Sequence, residues 1–133
     1  MKIVLLAKEC KESKDIATYL VDRGNVVFYT NQRLPIEELR KADIGISWFY
    51  HHILKQEELD AVRLGILNNH PGYLPWGRVA NPNIWPIAHH FPAGVTLHYI
   101  DESVDEGEII AIVKTPVYQE DNLLTLARRH YEL

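Results

Sequence analysis

The sequence predicts an α/β domain, a mostly parallel sheet with helices on both faces. Three observations carry that expectation. The segment Ile3 to Ala7 is apolar without interruption, as a strand buried on both faces requires. Strand-like and helix-like segments then alternate as far as Asn68, the pattern of a parallel sheet with right-handed crossovers. The length, 133 residues, is that of one domain. Such a chain buries roughly two-thirds of the surface it exposes when unfolded.

The elements follow in order. After the first strand, Ser13 to Arg23 carries Ile16, Leu20 and Val21 at helical spacing, with Ser13 as expected N-cap and Gly24 as its stop. Val26 to Thr30 is a second strand, Pro35 opens a short helix through Arg40, and Asp43 to Trp48 is a third strand. Gln56 to Val62 reads as helix and Gly65 to Asn68 as a fourth strand. Beyond it the character changes. Asn69 to Trp76 is a loop punctuated by Pro71, Gly72 and Pro75, and a short helix runs from Asn83 to His90. Val95 to Ile100 and Glu108 to Val117 are strands separated by the acidic turn Asp101 to Gly107. Asp121 or Asn122 caps a final helix from Leu123 that is still running at Leu133, which suits a minimal domain or a fragment of a longer protein. No repeat or low-complexity linker divides residues 1–133, so one domain is expected.

Composition narrows the function. Fourteen Lys and Arg against eighteen Asp and Glu give a net charge of −4, which weighs against a main role in gripping nucleic-acid phosphates. Cys10 is the only cysteine, so neither an internal disulfide nor a multi-Cys zinc site is available, and a reducing cytoplasm is the expected location. No apolar run approaches membrane-spanning length. The first strand-to-helix turn, Lys8 to Ser13, has no glycine, so the dinucleotide fingerprint is absent. The pairs His51-His52 and His89-His90 lack the i, i+4 spacing that converges ring nitrogens, and no metal site is expected.

In an open parallel sheet ligands collect beyond the carboxyl ends of the strands. The fourth strand delivers Asn68, Asn69 and His70 there, and alternation puts Asn68 and His70 on one side with Asn69 turned away. An amide donor beside an imidazole suits acyl transfer, one stabilising an oxyanion and the other trading protons with nitrogen. A polar turn after a strand fits the same residues, and spacing alone leaves both readings open. Asp105 lies in a turn rich in polar residues. It is either solvated or turned inward to orient His70 and hold it charged. Trp48, Trp76, Trp85, Tyr50 and Tyr73 either line a crevice or fill core. Ile109, Ile110, Ile112 and Val113 make the last strand too apolar for an open edge. The final helix or a partner subunit should cover it, and a homodimer is expected.

Three ordered segments carry a resemblance: Asn68-Asn69-His70-Pro71-Gly72-Tyr73-Leu74-Pro75, then Gly94-Val95-Thr96-Leu97-His98, then Asp105-Glu106-Gly107. Together they resemble the folate-dependent formyltransferases, a family that acts on glycinamide ribonucleotide, methionyl-tRNA or sugar amines. The resemblance implies a compact Rossmann-like domain of that type, either minimal or truncated at its C-terminus. It also implies 10-formyltetrahydrofolate as formyl donor, with Asn68 donating to the formyl oxygen, His70 as general acid/base and Asp105 holding His70 charged.

The segment Asp43 to Leu54 is similar to the strand and loop that contact the pterin, which implies folate contacts from Trp48, Phe49, Tyr50, Ile53 and Leu54. Tyr73, Trp76, Arg78 and Asn83 fall where the acceptor is expected. Pro82-Asn83-x-Trp85 and Leu97 to Glu102 are closer to the branch that formylates amino groups on nucleotide-linked sugars, making a primary amine of that kind the expected partner. Arg78 follows Trp76-Gly77, whereas relatives place Arg-Gly directly after Leu-Pro. The same three site residues serve a formyltetrahydrofolate hydrolase, and a non-catalytic folate-binding domain is a further alternative. A methionyl-tRNA enzyme fits the acidic balance less well.

Overall fold

The computed structural model describes residues 1–133. β1 (Lys2–Ala7) is buried from Ile3 to Ala7, as its unbroken apolar run requires. β2 (Val26–Thr30), β3 (Ile44–Trp48) and β4 (Ile66–His70) run parallel to β1, joined by α1 (Lys11–Asp22), α2 (Ile36–Leu39) and α3 (Gln56–Leu59). α4 (Ile84–His89) lies in the excursion that reverses the chain, so β5 (Ala93–Tyr99) pairs antiparallel with β4. β6 (Ile109–Thr115) pairs antiparallel with β5, and α5 (Leu123–Tyr131) follows. The strand order is β2-β1-β3-β4-β5-β6. Order reverses at β1, so a crevice is expected beside the carboxyl ends of β1, β3 and β4.

The sheet pleat sorts the interior. Val4, Leu6 and Ile66 point to one face and pack with Leu39, Ala42, Leu59 and Val62 from α2, α3 and their flanks. Leu5, Ala7, Trp48 and Asn69 point to the other, under α1 and α5. Arg33 ties the two layers of chain around α3: it donates to both Glu58 oxygens, at 2.9 and 2.6 Å, while Glu58 accepts from the Lys55 N–H. That pairing draws the buried Glu58 carboxyl below its ordinary range.

Several boundaries differ from expectation. Cys10 rather than Ser13 is the N-cap of α1, and Ser13 sits inside the first turn. There its hydroxyl donates to the Lys8 carbonyl at 2.7 Å and accepts from the Cys10 N–H, so a residue read as a cap is instead the buried knot of the turn. α2 and α3 are single turns, stopping before Arg40 and Val62. Asn122, not Asp121, caps α5, accepting from the Leu124 and Thr125 N–H groups. Asp121 instead takes a bidentate pair from Arg129 at 2.9 Å on each arm. The last helix also leaves β6 uncovered: Ile109, Ile110 and Val113 remain exposed, because α5 lies against Trp48, Asn69 and Val95. No helix is long and apolar enough to cross a membrane.

Candidate active site

β4 places Asn68 and His70 on one face, as alternation predicts, and its antiparallel register with β5 sets His98 opposite Asn68 and Thr96 opposite His70. Thr96 is fully buried and holds the following loop: its hydroxyl donates to the Gly72 carbonyl at 2.7 Å and accepts from the Leu74 N–H at 3.2 Å. Gly72 must lack a side chain, since a Cβ there would lie 2.7 Å from His70 Nε2. The loop then brings the Gly77 carbonyl to that nitrogen, which donates to it at 2.7 Å. Nδ1 of His70 is left facing Asp105 Oδ2 at 3.5 Å.

Asp105 reaches inward from the acidic turn because the backbone around it is forced. Its φ is 53°, in the left-handed region, and at Gly107 any Cβ would collide with the Tyr99 carbonyl. The Asp-x-Gly spacing therefore lets the turn fold flat against β5 and aim one carboxylate at two imidazoles. Asp105 Oδ1 lies 3.5 Å from His98 Nε2, matching its distance to His70.

His98, which sequence reasoning left without a role, joins this cluster. Its Nδ1 donates to the Tyr99 carbonyl at 2.8 Å, so Nε2 of the neutral ring accepts from Asn68 Nδ2 at 3.2 Å. On protonation the same Nε2 donates to Asp105. Burial opposes the charged ring, but the Asp105 carboxylate and the Tyr99 carbonyl outweigh it, and His98 titrates above its ordinary value. Asp105 is correspondingly held below the usual carboxylate range, by His98 first, against its own burial, with His70 adding.

A cavity of about 210 Å³ opens onto Asn68, His98 and Asp105. Tyr50, Ile53 and Leu54 line it, with Ile100 and Val104 adding apolar wall. The wall is thus apolar at Tyr50, Ile53, Leu54, Ile100 and Val104 and polar where Asn68, His98 and Asp105 meet it. Trp48 and Phe49 do not reach it. Phe49 has φ 49°, and the chain turns there so that both rings line a separate cavity with Asn69, Asn83 and His130. Of the residues expected around an acceptor, Asn83 lies in that second cavity, while Tyr73 and Trp76 pair with each other at 6.1 Å. Arg78 is occupied structurally: it donates to the Asp105 carbonyl at 3.1 Å and to Glu106 at 2.9 Å.

The profile described as formyl transferase matches residues 9–133. A methionyl-tRNA formyltransferase of Syntrophus aciditrophicus is 37% identical over 90 residues, 67% of this chain and 29% of the relative, so the match spans under a third of that protein. The formyltransferase PseJ of Anoxybacillus kamchatkensis, solved with UDP-4,6-dideoxy-4-formamido-L-AltNAc and tetrahydrofolate, superposes with a TM-score of 0.85 at 31% identity, over 99% of this chain and 71% of that one. A phosphoribosylglycinamide formyltransferase of Streptococcus pneumoniae shares the fold, with a TM-score of 0.74 at 22% identity over 98% of this chain and 90% of that one. With the Asn68, His70, His98 and Asp105 cluster seated on this sheet, the chain belongs to the formyl transferase family.

Proposed function

We propose that the protein transfers a formyl group from 10-formyltetrahydrofolate to a primary amine on a nucleotide-linked sugar. The observation that carries the reading is Asp105 standing 3.5 Å from both His70 Nδ1 and His98 Nε2, beside the amide of Asn68. An N–H of Asn68 would donate to the formyl oxygen as the amine attacks and negative charge gathers there. His70 would take the proton lost by the attacking amine and return one to the leaving folate nitrogen. Its Nδ1 serves this role, since Nε2 is committed to Gly77. Asp105 stabilises the charged ring in between, and His98 steadies both Asn68 and Asp105.

The cavity walled by Tyr50, Ile53 and Leu54 is the proposed seat of the folate ring. The sugar-linked acceptor is supported by the likeness to PseJ, at 31% identity over nearly the whole chain. The methionyl-tRNA relatives support an alternative acceptor, which the net charge of −4 disfavours.

The test is an assay with 10-formyltetrahydrofolate and a panel of amino sugar nucleotides. Formamide product on one of them is expected, and rapid formate release without any amine would assign a hydrolase instead. Tight folate binding with no turnover would leave only a binding domain. The uncovered row Ile109, Ile110 and Val113 on the edge strand supports a homodimer; a monomer in sedimentation at micromolar concentration would remove it.

A further inference from the structure

The cavity beside Asn68, His98 and Asp105 lies between two loops, and each is fastened by one arginine that does not line it. Arg78 holds the acidic turn through the Asp105 carbonyl and the Glu106 carboxylate. The facing wall is the stretch between β3 and α3, which contributes Tyr50, His52, Ile53 and Leu54. From Phe49 to Leu54 no backbone group bonds another backbone group. Such a stretch keeps its shape only through packing and through bonds that involve side chains.

Packing settles two of the wall residues and not the third. Tyr50 and Leu54 lie against the core shared by β1, α2 and α3, whereas Ile53 is 82% exposed and has no such seat. Two hydrogen bonds make up the difference, and both come from the connection between β2 and α2. Tyr50 Oη donates to the Gln32 carbonyl at 3.0 Å, and Arg33 Nη2 donates to the Ile53 carbonyl at 3.3 Å. Arg33 also governs the exit of the loop. Its guanidinium pairs with both oxygens of the buried Glu58 carboxylate, which accepts from the Lys55 N–H at 2.8 Å. That two-armed pairing fixes the plane of the guanidinium, and with it the direction in which Nη2 meets Ile53.

We propose that Arg33 is a positioning residue for ligand binding in this cavity: it places Ile53 directly and Lys55 through Glu58, so that the apolar wall stands before the ligand arrives. Folate as that ligand rests on the formyl-transfer reading; the clasp itself does not. A wall formed in advance spares the ligand the cost of ordering it. The effect of Arg33 therefore falls on affinity for the formyl donor and not on the chemical step, which Asn68, His70 and Asp105 carry.

The test compares the whole chain with Arg33→Met, Arg33→Lys and Tyr50→Phe in three measurements: nitrogen-15 relaxation of the ligand-free amides from Tyr50 to Leu54, titration with tetrahydrofolate, and steady-state kinetics. Arg33→Met should increase the motion at Ile53. It should also raise the Kd for tetrahydrofolate and the KM for 10-formyltetrahydrofolate about tenfold, the value of a hydrogen bond to a charged group. Both kcat and the KM for the amine should stay within about twofold, as loss of binding alone requires. Arg33→Lys should recover part of the affinity. Tyr50→Phe keeps the ring and removes the second tie, and should weaken tetrahydrofolate about threefold. Arg33→Met strands a buried carboxylate, so the pair Arg33→Met and Glu58→Gln repeats the measurement with that charge gone and an amide oxygen still accepting from Lys55. A fall in kcat as large as the rise in KM, or an equal loss for the amine, would overturn the positioning role. So would a variant that binds tetrahydrofolate as tightly as the parent, and that outcome leaves the folate reading standing. A parent that binds no tetrahydrofolate, with motion at Ile53 still rising in Arg33→Met, would defeat the folate reading and support the clasp.

Discussion

The two sides of β4 beyond its midpoint are built from the same few residue types and are finished in opposite ways. On one side the amide of Asn68 and the rings of His70 and His98 are tied to one another, to Asp105 and to backbone carbonyls. On the other side, past Asn69, an indole, an amide and an imidazole belong to residues around one cavity and keep buried polar atoms without hydrogen-bond partners. The first arrangement fixes orientation before any substrate arrives, which chemistry at a developing charge demands, because dipoles that must turn during the reaction stabilise less. The second leaves hydrogen-bonding capacity unspent, which costs stability. The polar groups of one strand are thus satisfied on one face and unsatisfied on the other.

Substitutions on the saturated side should strike turnover hardest. Asn68→Ala is expected to lower the rate of formyl transfer on the order of 100- to 1,000-fold, the usual cost of losing an oxyanion donor. His70→Ala should cost at least as much, with substrate binding little changed in both. Near-wild-type rates in either variant would remove the division between the two faces. Asp105→Asn keeps the shape and removes the charge, so a fall of roughly 100-fold is expected if general acid–base work depends on it. The His98 ring should then titrate at lower pH than in the parent protein, because the carboxylate that raises it is gone. Ring proton spectra across pH would show this independently of activity.

A smaller effect sharpens how the saturated side is held. Arg78 touches neither imidazole, yet it bonds the carbonyl of Asp105 and the carboxylate of the next residue, at the one point where the turn adopts φ 53°. Arg78→Ala should cost roughly tenfold in kcat, about the value of one hydrogen bond to a charged group. Arg78→Lys should recover part of the loss, since an ammonium replaces one of the two contacts. If the loss appeared in KM for the acceptor alone, Arg78 would belong to binding.

How far the site could be read from sequence follows from distance along the chain. Asn68 and His70 share a strand, so the two-residue period was enough to put them together. His98 lies in the Gly94-Val95-Thr96-Leu97-His98 segment, but its place opposite Asn68 depends on a register across 30 residues that no local pattern specifies. Asp105 was reached through the resemblance, and the physical reason, Gly107 pressed on the Tyr99 carbonyl, is a tertiary contact. Trp48 and Phe49 are expected beside Tyr50, Ile53 and Leu54 because the resemblance of Asp43 to Leu54 implies that all five contact the folate. The left-handed turn at Phe49 parts the two groups, and a bulky residue gives no hint of such a turn. The burial of His130 has a signal in the sequence: it follows Leu126 by four residues, hence shares its buried helical face.

The orphaned side should betray itself in stability rather than rate. His130 has a folded pKa of about 4, below the ordinary value of 6.5, so between those limits the unfolded chain binds the extra proton. Its contribution is therefore intact above about pH 6.5 and declines as pH falls toward 4. The raised His98 acts in the opposite sense, adding stability below 6.5 that fades as pH rises. The depressed carboxyls of Glu58, Asp105 and Asp121 lose their contributions only at more acid pH, below their usual range. Comparing thermal unfolding of the parent with His130→Leu from pH 4 to 7 isolates the one ring, since the other groups cancel in the difference. The parent should lose stability relative to the variant as pH falls through this window. Parallel curves would mean that His130 takes up its proton as easily folded as unfolded, and a ring that does so is not the neutral, water-excluded wall that distinguishes this face of β4 from the other.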